Sequence, residues 1–228
     1  KKAPKELYEP VSYVLNLGGK RIRPVLTLMS TELFDGPVDE ALSPAIGLEI
    51  FHNFTLVHDD IMDQARIRRG QPTVHEKWNT NNAILSGDLM QVIANQYMMG
   101  VEDDILREVL DLYNETAVKV CEGQQLDMNY EEENGLNLDD YLHMISLKTA
   151  TLLATALKMG AITGRTSKRN KDLIHEFGIN LGIAFQIQDD MLDTFGQAEE
   201  FGKNIGGDIL AGKQPYLYLT AMEVANDD

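Results

Sequence analysis

Cysteine is almost absent. Cys121 stands alone in 228 residues, which rules out a disulfide framework and suits a reducing setting. Cations are scarce as well: 20 Lys and Arg face 36 Asp and Glu, for a formal net charge of −16. That balance argues against nucleic acid as a general partner, although a local cationic patch could still hold an anionic ligand. No apolar run reaches about 18 residues, so no membrane span is expected, and no secretory signal pattern is present. Alternating strand patterns and Asn-Gly or Asp-Gly hairpin signals are also missing. The seven prolines sit mostly where turns are expected. No repeat of fixed period stands out, and no shift in composition marks a linker. One domain over 1–228 is expected, long enough to bury a sizeable core. The chain begins at Lys1, and Asn226-Asp227-Asp228 follows a helical stretch without a stop signal, so trimming at both ends is expected.

What remains reads as helix nearly throughout, near 5–17, 22–35, 39–66, 80–100, 102–123, 138–163, 168–195 and 213–225. The third of these carries His58-Asp59-Asp60-Ile61-Met62-Asp63. Upstream, Ile46, Ile50, Phe54, Val57 and Ile61 recur at helical spacing, so Asp59 and Asp63 share a face one turn apart, with Asp60 beside them. Two unit charges about 4 Å apart repel by roughly 4 kcal/mol at an effective dielectric near 20. A cation would relieve that repulsion, and oxygen-only ligands suit Mg²⁺, which keeps waters and shares phosphate oxygens. A solvated acidic helix end is the open alternative.

The pattern returns at Phe185-Gln186-Ile187-Gln188-Asp189-Asp190-Met191-Leu192-Asp193, again on an apolar helix. Cations follow each cluster: Arg68-Arg69-Gly70 after the first, and a glycine-rich stretch carrying Lys203 and Lys213 after the second. Earlier, Gly18-Gly19-Lys20-Arg21-Ile22-Arg23-Pro24 places three cations at a helix start, where free N–H groups also favour phosphate. Gly123-Gln124-Gln125-Leu126-Asp127 is read as a helix end, with packing the favoured role for its amides. Glu131-Glu132-Glu133-Asn134-Gly135 is read as a solvated loop. Lys148-Thr149 lies within an apolar helix, so the lysine either snorkels to solvent or faces a polar cavity. Two acidic clusters on helices, each trailed by cations, make a metal site between facing helices the stronger reading.

Taken in this order, the motifs resemble the trans-type isoprenyl diphosphate synthases of the polyprenyl synthetase family. The resemblance covers essentially the whole chain. It implies an all-α, isoprenoid-synthase-type helical bundle around a central cavity, lacking the C-terminal helices that usually follow the lysine loop. It implies a homodimer that condenses isopentenyl diphosphate head to tail with an allylic diphosphate, and the lone cysteine adds the expectation of a cytoplasmic setting. Asp59, Asp63 and Asp189 would hold about three Mg²⁺ ions, with Mn²⁺ able to substitute, and Asp60, Asp190 and Asp193 would orient or bind through water. Arg68, Lys148, Lys203 and Lys213 would grip the allylic diphosphate, while Lys20, Arg23, His52 and Arg69 would bind isopentenyl diphosphate. Thr149 and Gln186 would offer oxygen dipoles to the allylic cation.

Phe54 and Thr55 precede Asp59 by about one helical turn, where the resemblance places a chain-length stop. An aromatic ring there implies C15–C20 products, or longer ones if the tail passes it. A terpene cyclase, a non-catalytic partner subunit and a plain helical binding protein are the rival readings. The second motif's three aspartates and the Lys20/Arg23 loop weigh against the cyclase. Six intact aspartates weigh against the inactive subunit.

Overall fold

The computed structural model describes residues 3–132, 135–195 and 213–225. In order they form α1 (Lys5–Asn16), α2 (Ile22–Leu33), α3 (Val38–Met62), strands β1 (Ile67–Arg68) and β2 (Gln71–Pro72), and α4 (Val74–Lys77). Then come α5 (Thr80–Met98), α6 (Asp103–Glu132), α7 (Leu138–Ile145), a π-helical turn (Ser146–Ala150), α8 (Thr151–Thr163), α9 (Lys168–Phe195) and α10 (Tyr216–Val224). The all-α reading holds, with one small antiparallel hairpin as the exception.

Chain contacts divide the structure into two compact units. One comprises Lys1–Asp111 with Ala156–Ser167, the other Leu112–Thr155 with Lys168–Asp228. In the first, α3 is apolar on most sides and buries Leu48, Phe51, Phe54 and Val57. It runs beside α5, whose N-terminus is capped by the Asn79 side chain accepting from Asn82 N at 2.8 Å. The end of α8 belongs to this unit: Ser30 Oγ donates to the Leu157 carbonyl at 2.6 Å. In the second unit Tyr141, Met144, Ile145 and Leu219 form a buried cluster, and Ile183 and Ile187 of α9 pack against it. Helix α7 starts with a capping box between Asn137 and Asp140, which satisfies two otherwise orphaned backbone donors.

Three expectations need correction. The helix expected over 39–66 ends at Met62, and the next residues turn into the β1–β2 hairpin. Its two-residue strands are too short to show alternation. Its turn is Arg69-Gly70, with φ of 53° and 72° at the two positions. Positive φ at both central residues is what a type I′ hairpin turn requires; Gly70 adopts it freely and Arg69 does so at a cost of about 1 kcal/mol or more. The helix expected over 102–123 instead runs through Gly123 to Glu132, so Glu131 and Glu132 are helical and not part of a loop. The stretch 138–163 is helical as expected but carries a π turn where Lys148 and Thr149 sit. Leu138–Thr163 is also long and apolar enough to cross a membrane by length and composition alone, yet 72% of its apolar window is buried inside the protein, as in a core helix.

Candidate active site

The first acidic motif closes α3. Asp63 is the C-cap, and its N–H donates to the Asp59 carbonyl at 2.8 Å, which keeps the two residues one turn apart. Asp63 is exposed and Asp59 is partly buried, whereas Asp60 points inward and is only 4% exposed. Arg68 reaches back from β1: its Nε donates to Asp60 Oδ1 at 2.7 Å, and its Nη2 lies 3.7 Å from Asp59 Oδ2. Burial pushes the Asp60 carboxyl up to about 6, against the pull of Arg68. The hairpin, invisible in the sequence pattern, is therefore what returns Arg68 to the aspartates.

The same hairpin delivers Arg69 to the glycine loop, where Arg69 Nη1 donates to the Gly18 carbonyl. Arg21 enters α2 with φ of 51° and is held by Glu49 Oε1 at 2.5 Å and the Leu15 carbonyl at 2.6 Å. Arg23 follows within α2, and its Nε is buried with no hydrogen-bond partner among the described residues. Burial pulls the Arg23 guanidinium down to about 10, with Glu49 acting the other way. His52 lies on α3 within the field of Arg23, Arg69, Arg68 and Arg21. Burial, followed by these four cations, holds its imidazole well below the ordinary histidine value, so it is neutral at pH 7.

Arg23 and Arg69 thus lie within the field of His52, whereas Lys20 is exposed on the preceding loop. Glu49 and Asn53 escaped the sequence reading, and Arg21, read there only as one of three cations at the helix start, is the one that Glu49 holds. Glu49 and Asn53 sit one turn apart on α3 and bond each other, with Asn53 Nδ2 3.0 Å from Glu49 Oε1. An acid at i−3 from His52, surrounded by arginines, was the available signal. His75 on α4 was missed as well; it lies close enough to Asp60 to favour the carboxylate.

The depressed His52 value has a consequence for stability. The unfolded chain binds a proton on this residue below about pH 6.5, and the folded chain does so only at lower pH. Stability is therefore complete above pH 6.5 and falls as the pH drops, by up to about 1.4 kcal/mol per pH unit from this one group. Comparing pH 7 with pH 5 by thermal unfolding, His52→Gln should lose less Tm than the parent; equal losses would remove His52 as the cause.

In the second unit, Asp127 of α6 is buried and gathers two lysines. Lys148 Nζ donates to Asp127 Oδ2 at 2.5 Å and Lys213 Nζ does so at 3.3 Å. Burial raises the Asp127 carboxyl, but the two ammonium groups outweigh it and hold the carboxyl below its ordinary value. Lys148 reaches Asp127 because the π turn presses against α6 at Gly123. A Cβ there would lie 2.3 Å from the Lys148 backbone nitrogen, so only glycine fits. Gly123→Ala is expected to cost about 1–3 kcal/mol or more in chemical denaturation, since backbone must shift to admit the methyl. An unchanged midpoint would show that the two segments part easily.

Thr149, beside Lys148, donates to Gln186 Oε1 at 3.0 Å, so the residues expected to present oxygen dipoles are in contact. Gln186 Nε2 in turn donates to Asp190 Oδ1 at 3.0 Å. Asp189 is exposed, Asp193 is partly buried, and Asp190 is 3% exposed. Lys203 lies outside the described residues. Phe54 is buried between Phe51 and His58, with ring centroids 5.5 and 4.9 Å away. Thr55 Oγ1 donates to the His52 carbonyl at 2.8 Å.

The donor chemistry suits Mg²⁺. Among the described residues no three His, Cys, Asp or Glu side chains converge into a preformed protein-only metal cage. Asp59 and Asp63 supply carboxylate oxygens only, which fits an ion that completes its shell with water and diphosphate.

The polyprenyl synthetase family pattern matches residues 4–228. Geranylgeranyl diphosphate synthase of Methanosarcina mazei is 39% identical over 222 residues, spanning 96% of this chain and 68% of that protein. Geranylfarnesyl diphosphate synthase of Natronomonas pharaonis is 36% identical, spanning 98% of this chain and 71% of that protein. The crystal structure of geranylgeranyl pyrophosphate synthetase from Pyrococcus horikoshii superposes with a TM-score of 0.95 at 38% identity, covering 99% of this chain and 70% of that one. Fold, ordered motifs and these matches agree: the chain belongs to the polyprenyl synthetase family of prenyltransferases.

Proposed function

We propose that the protein is a Mg²⁺-dependent synthase that joins isopentenyl diphosphate head to tail to an allylic diphosphate, giving an all-trans C20–C25 prenyl diphosphate. The observation that carries this is the placement of four arginines around the neutral His52, on the helix that ends in Asp59, Asp60 and Asp63. A chain of net charge −16 that concentrates guanidinium groups there has built an anion site beside an acidic one. Arg23 Nε, a buried donor with no partner among the described residues, suits a phosphate oxygen.

In this reading Lys20, Arg23, His52 and Arg69 hold isopentenyl diphosphate. Arg68, Lys148, Lys213 and Lys203 hold the allylic diphosphate. Asp59, Asp63 and Asp189 are the metal ligands, for about three ions. Bound Mg²⁺ would neutralise charge that develops on the leaving diphosphate. Lys148 and Lys213, gathered on Asp127, would add fixed positive charge to those oxygens. The C1–O bond of the allylic substrate breaks, with the electron pair leaving on diphosphate. The Thr149 and Gln186 oxygens face the resulting allylic cation. The double bond of isopentenyl diphosphate then attacks C1, a C–C bond forms, and the C2 proton passes to the released diphosphate. No side-chain nucleophile is required.

Names of the relatives support C20 to C25 products, the upper part of the range expected from Phe54 and beyond it. Phe54 remains the proposed stop on α3: Phe54→Ala should lengthen the product by at least one C5 unit on chromatography of the extracted alcohols. An unchanged distribution would assign the ring to the core alone. The expected homodimer is supported by an apolar row at seven-residue spacing on and just after α5, where Leu85, Val92 and Met99 are all exposed. A cytoplasmic location accords with the lone, exposed Cys121.

Isothermal titration with a bisphosphonate, with and without Mg²⁺, tests the reading. Metal-dependent binding supports it; metal-independent or absent binding points to a plain helical binding protein. Isopentenyl diphosphate protecting the protein in a thermal shift further separates a synthase from a cyclase.

A further inference from the structure

The three aspartates of the second acidic motif do not share one environment. Asp189 is exposed and Asp193 is partly buried, but Asp190 is turned into the protein. Among the described residues its carboxylate faces three donors. Oδ2 accepts from the Tyr141 hydroxyl on α7 and from the Tyr216 backbone N–H at 3.1 Å, and Oδ1 accepts from Gln186 Nε2 at 3.0 Å. Tyr141 is itself buried, packed in the cluster that holds Met144, Ile145 and Leu219.

These bonds belong to a closed circuit. Gln186 accepts from Thr149 in the π turn, and the adjacent Lys148 donates to Asp127. Asp127 also accepts from Lys213, which lies three residues before Tyr216, the residue whose N–H returns to Asp190. Asp190 therefore fixes both arms that carry the lysines. One arm runs through Gln186 and Thr149 to Lys148. The other runs through the start of α10 back to Lys213. A buried carboxylate is suited to this post because every group facing it is a donor. An amide would turn an NH₂ toward at least one of them and leave a buried donor unmet.

We propose that Asp190 and Tyr141 are positioning residues for the diphosphate grip. Their bond sets the spacing of Lys148 and Lys213 over Asp127. The inference rests on the reading that Lys148 and Lys213 hold the allylic diphosphate, so the experiment includes a control for that premise.

The test uses an unreactive allylic thiolodiphosphate, titrated calorimetrically into the parent, Tyr141→Phe, Asp190→Asn, the double variant and Lys148→Ala, each across a range of Mg²⁺ concentrations. Tyr141→Phe removes one oxygen and keeps the packed ring. It should weaken the analogue by about three- to tenfold, the worth of one buried hydrogen bond, and raise KM for the allylic substrate in proportion. The half-saturating Mg²⁺ concentration should not move. Asp190→Asn should act in the same direction and more strongly, and because the two side chains are directly bonded the double variant should fall short of the product of the two single effects. If Tyr141→Phe binds like the parent while Lys148→Ala binds weakly, the positioning role is wrong and the lysine grip stands. If Asp190→Asn raises the Mg²⁺ requirement tenfold at unchanged analogue affinity in saturating Mg²⁺, Asp190 is a metal ligand and the inference is overturned. If Lys148→Ala binds like the parent, the underlying reading fails, and the inference fails with it.

Discussion

Asp59→Ala is expected to lower kcat by at least about a thousandfold, equivalent to about 4 kcal/mol of transition-state stabilisation, with little change in Tm. Three features single out Asp59 over its neighbours. It sits on the face of α3 that also presents Asp63, one turn on. It is partly accessible, unlike Asp60. Its contact with Arg68 is loose, at 3.7 Å, whereas Arg68 commits its Nε to Asp60 at 2.7 Å. Asp60 thus aims the arginine, and the proposed metal role falls to Asp59. The same substitution at Asp60 acts differently. It leaves Arg68 without its close partner, so Asp60→Ala should lower Tm as well as rate. Steady-state kinetics with thermal unfolding separates the two, and a kcat for Asp59→Ala within threefold of the parent would remove Asp59 from the metal set.

Lys148→Ala should lower kcat/KM for the allylic substrate by about a hundred- to a thousandfold, the usual effect of deleting one fixed donor to developing negative charge. KM for isopentenyl diphosphate should stay within about twofold, because its proposed partners lie on α2 and the loop before it, on α3 and on the hairpin. A stability cost accompanies the rate loss. Asp127 is buried and loses its partner at 2.5 Å, retaining Lys213 at 3.3 Å. Removing one of two partners from a buried carboxylate costs about 1–3 kcal/mol, less than stripping it bare. Lys213→Ala should give a smaller loss of both kinds, in keeping with its longer contact. Equal rates for the Lys148→Ala variant and the parent would assign this lysine to the fold alone.

Much of this site is legible from residue order, and the reason is physical. Carboxylates at one-turn spacing, cations just after them and glycines before a cationic helix start are local patterns, and their geometry follows from the helix repeat. What was not legible depends on tertiary contact. Gly123 reads as a helix stop, since glycine ordinarily weakens a helix. It stays helical here because α6 must let the Lys148 backbone approach to a distance that any side chain would block. The π turn at Ser146–Ala150 hides inside an ordinary apolar periodicity, because one extra residue per turn hardly changes a pattern read over five positions. The hairpin at Ile67–Pro72 is too short to alternate, and its Arg-Gly turn is less diagnostic than Asn-Gly. Asp189, Asp190 and Asp193 look equivalent on paper. Only the partners of Asp190, two of them from α7 and α10, show that it faces inward.

The most direct test of the account is product analysis. The protein should be incubated with labelled isopentenyl diphosphate and a C5, C10 or C15 allylic primer, in Mg²⁺ and in excess chelator. Elongation with Mg²⁺ to C20–C25 products is expected, with release of one diphosphate per unit added and none of this in chelator. Diphosphate release without incorporation of isopentenyl carbon would identify a cyclase, and no reaction with any primer in Mg²⁺ would contradict the proposed activity outright.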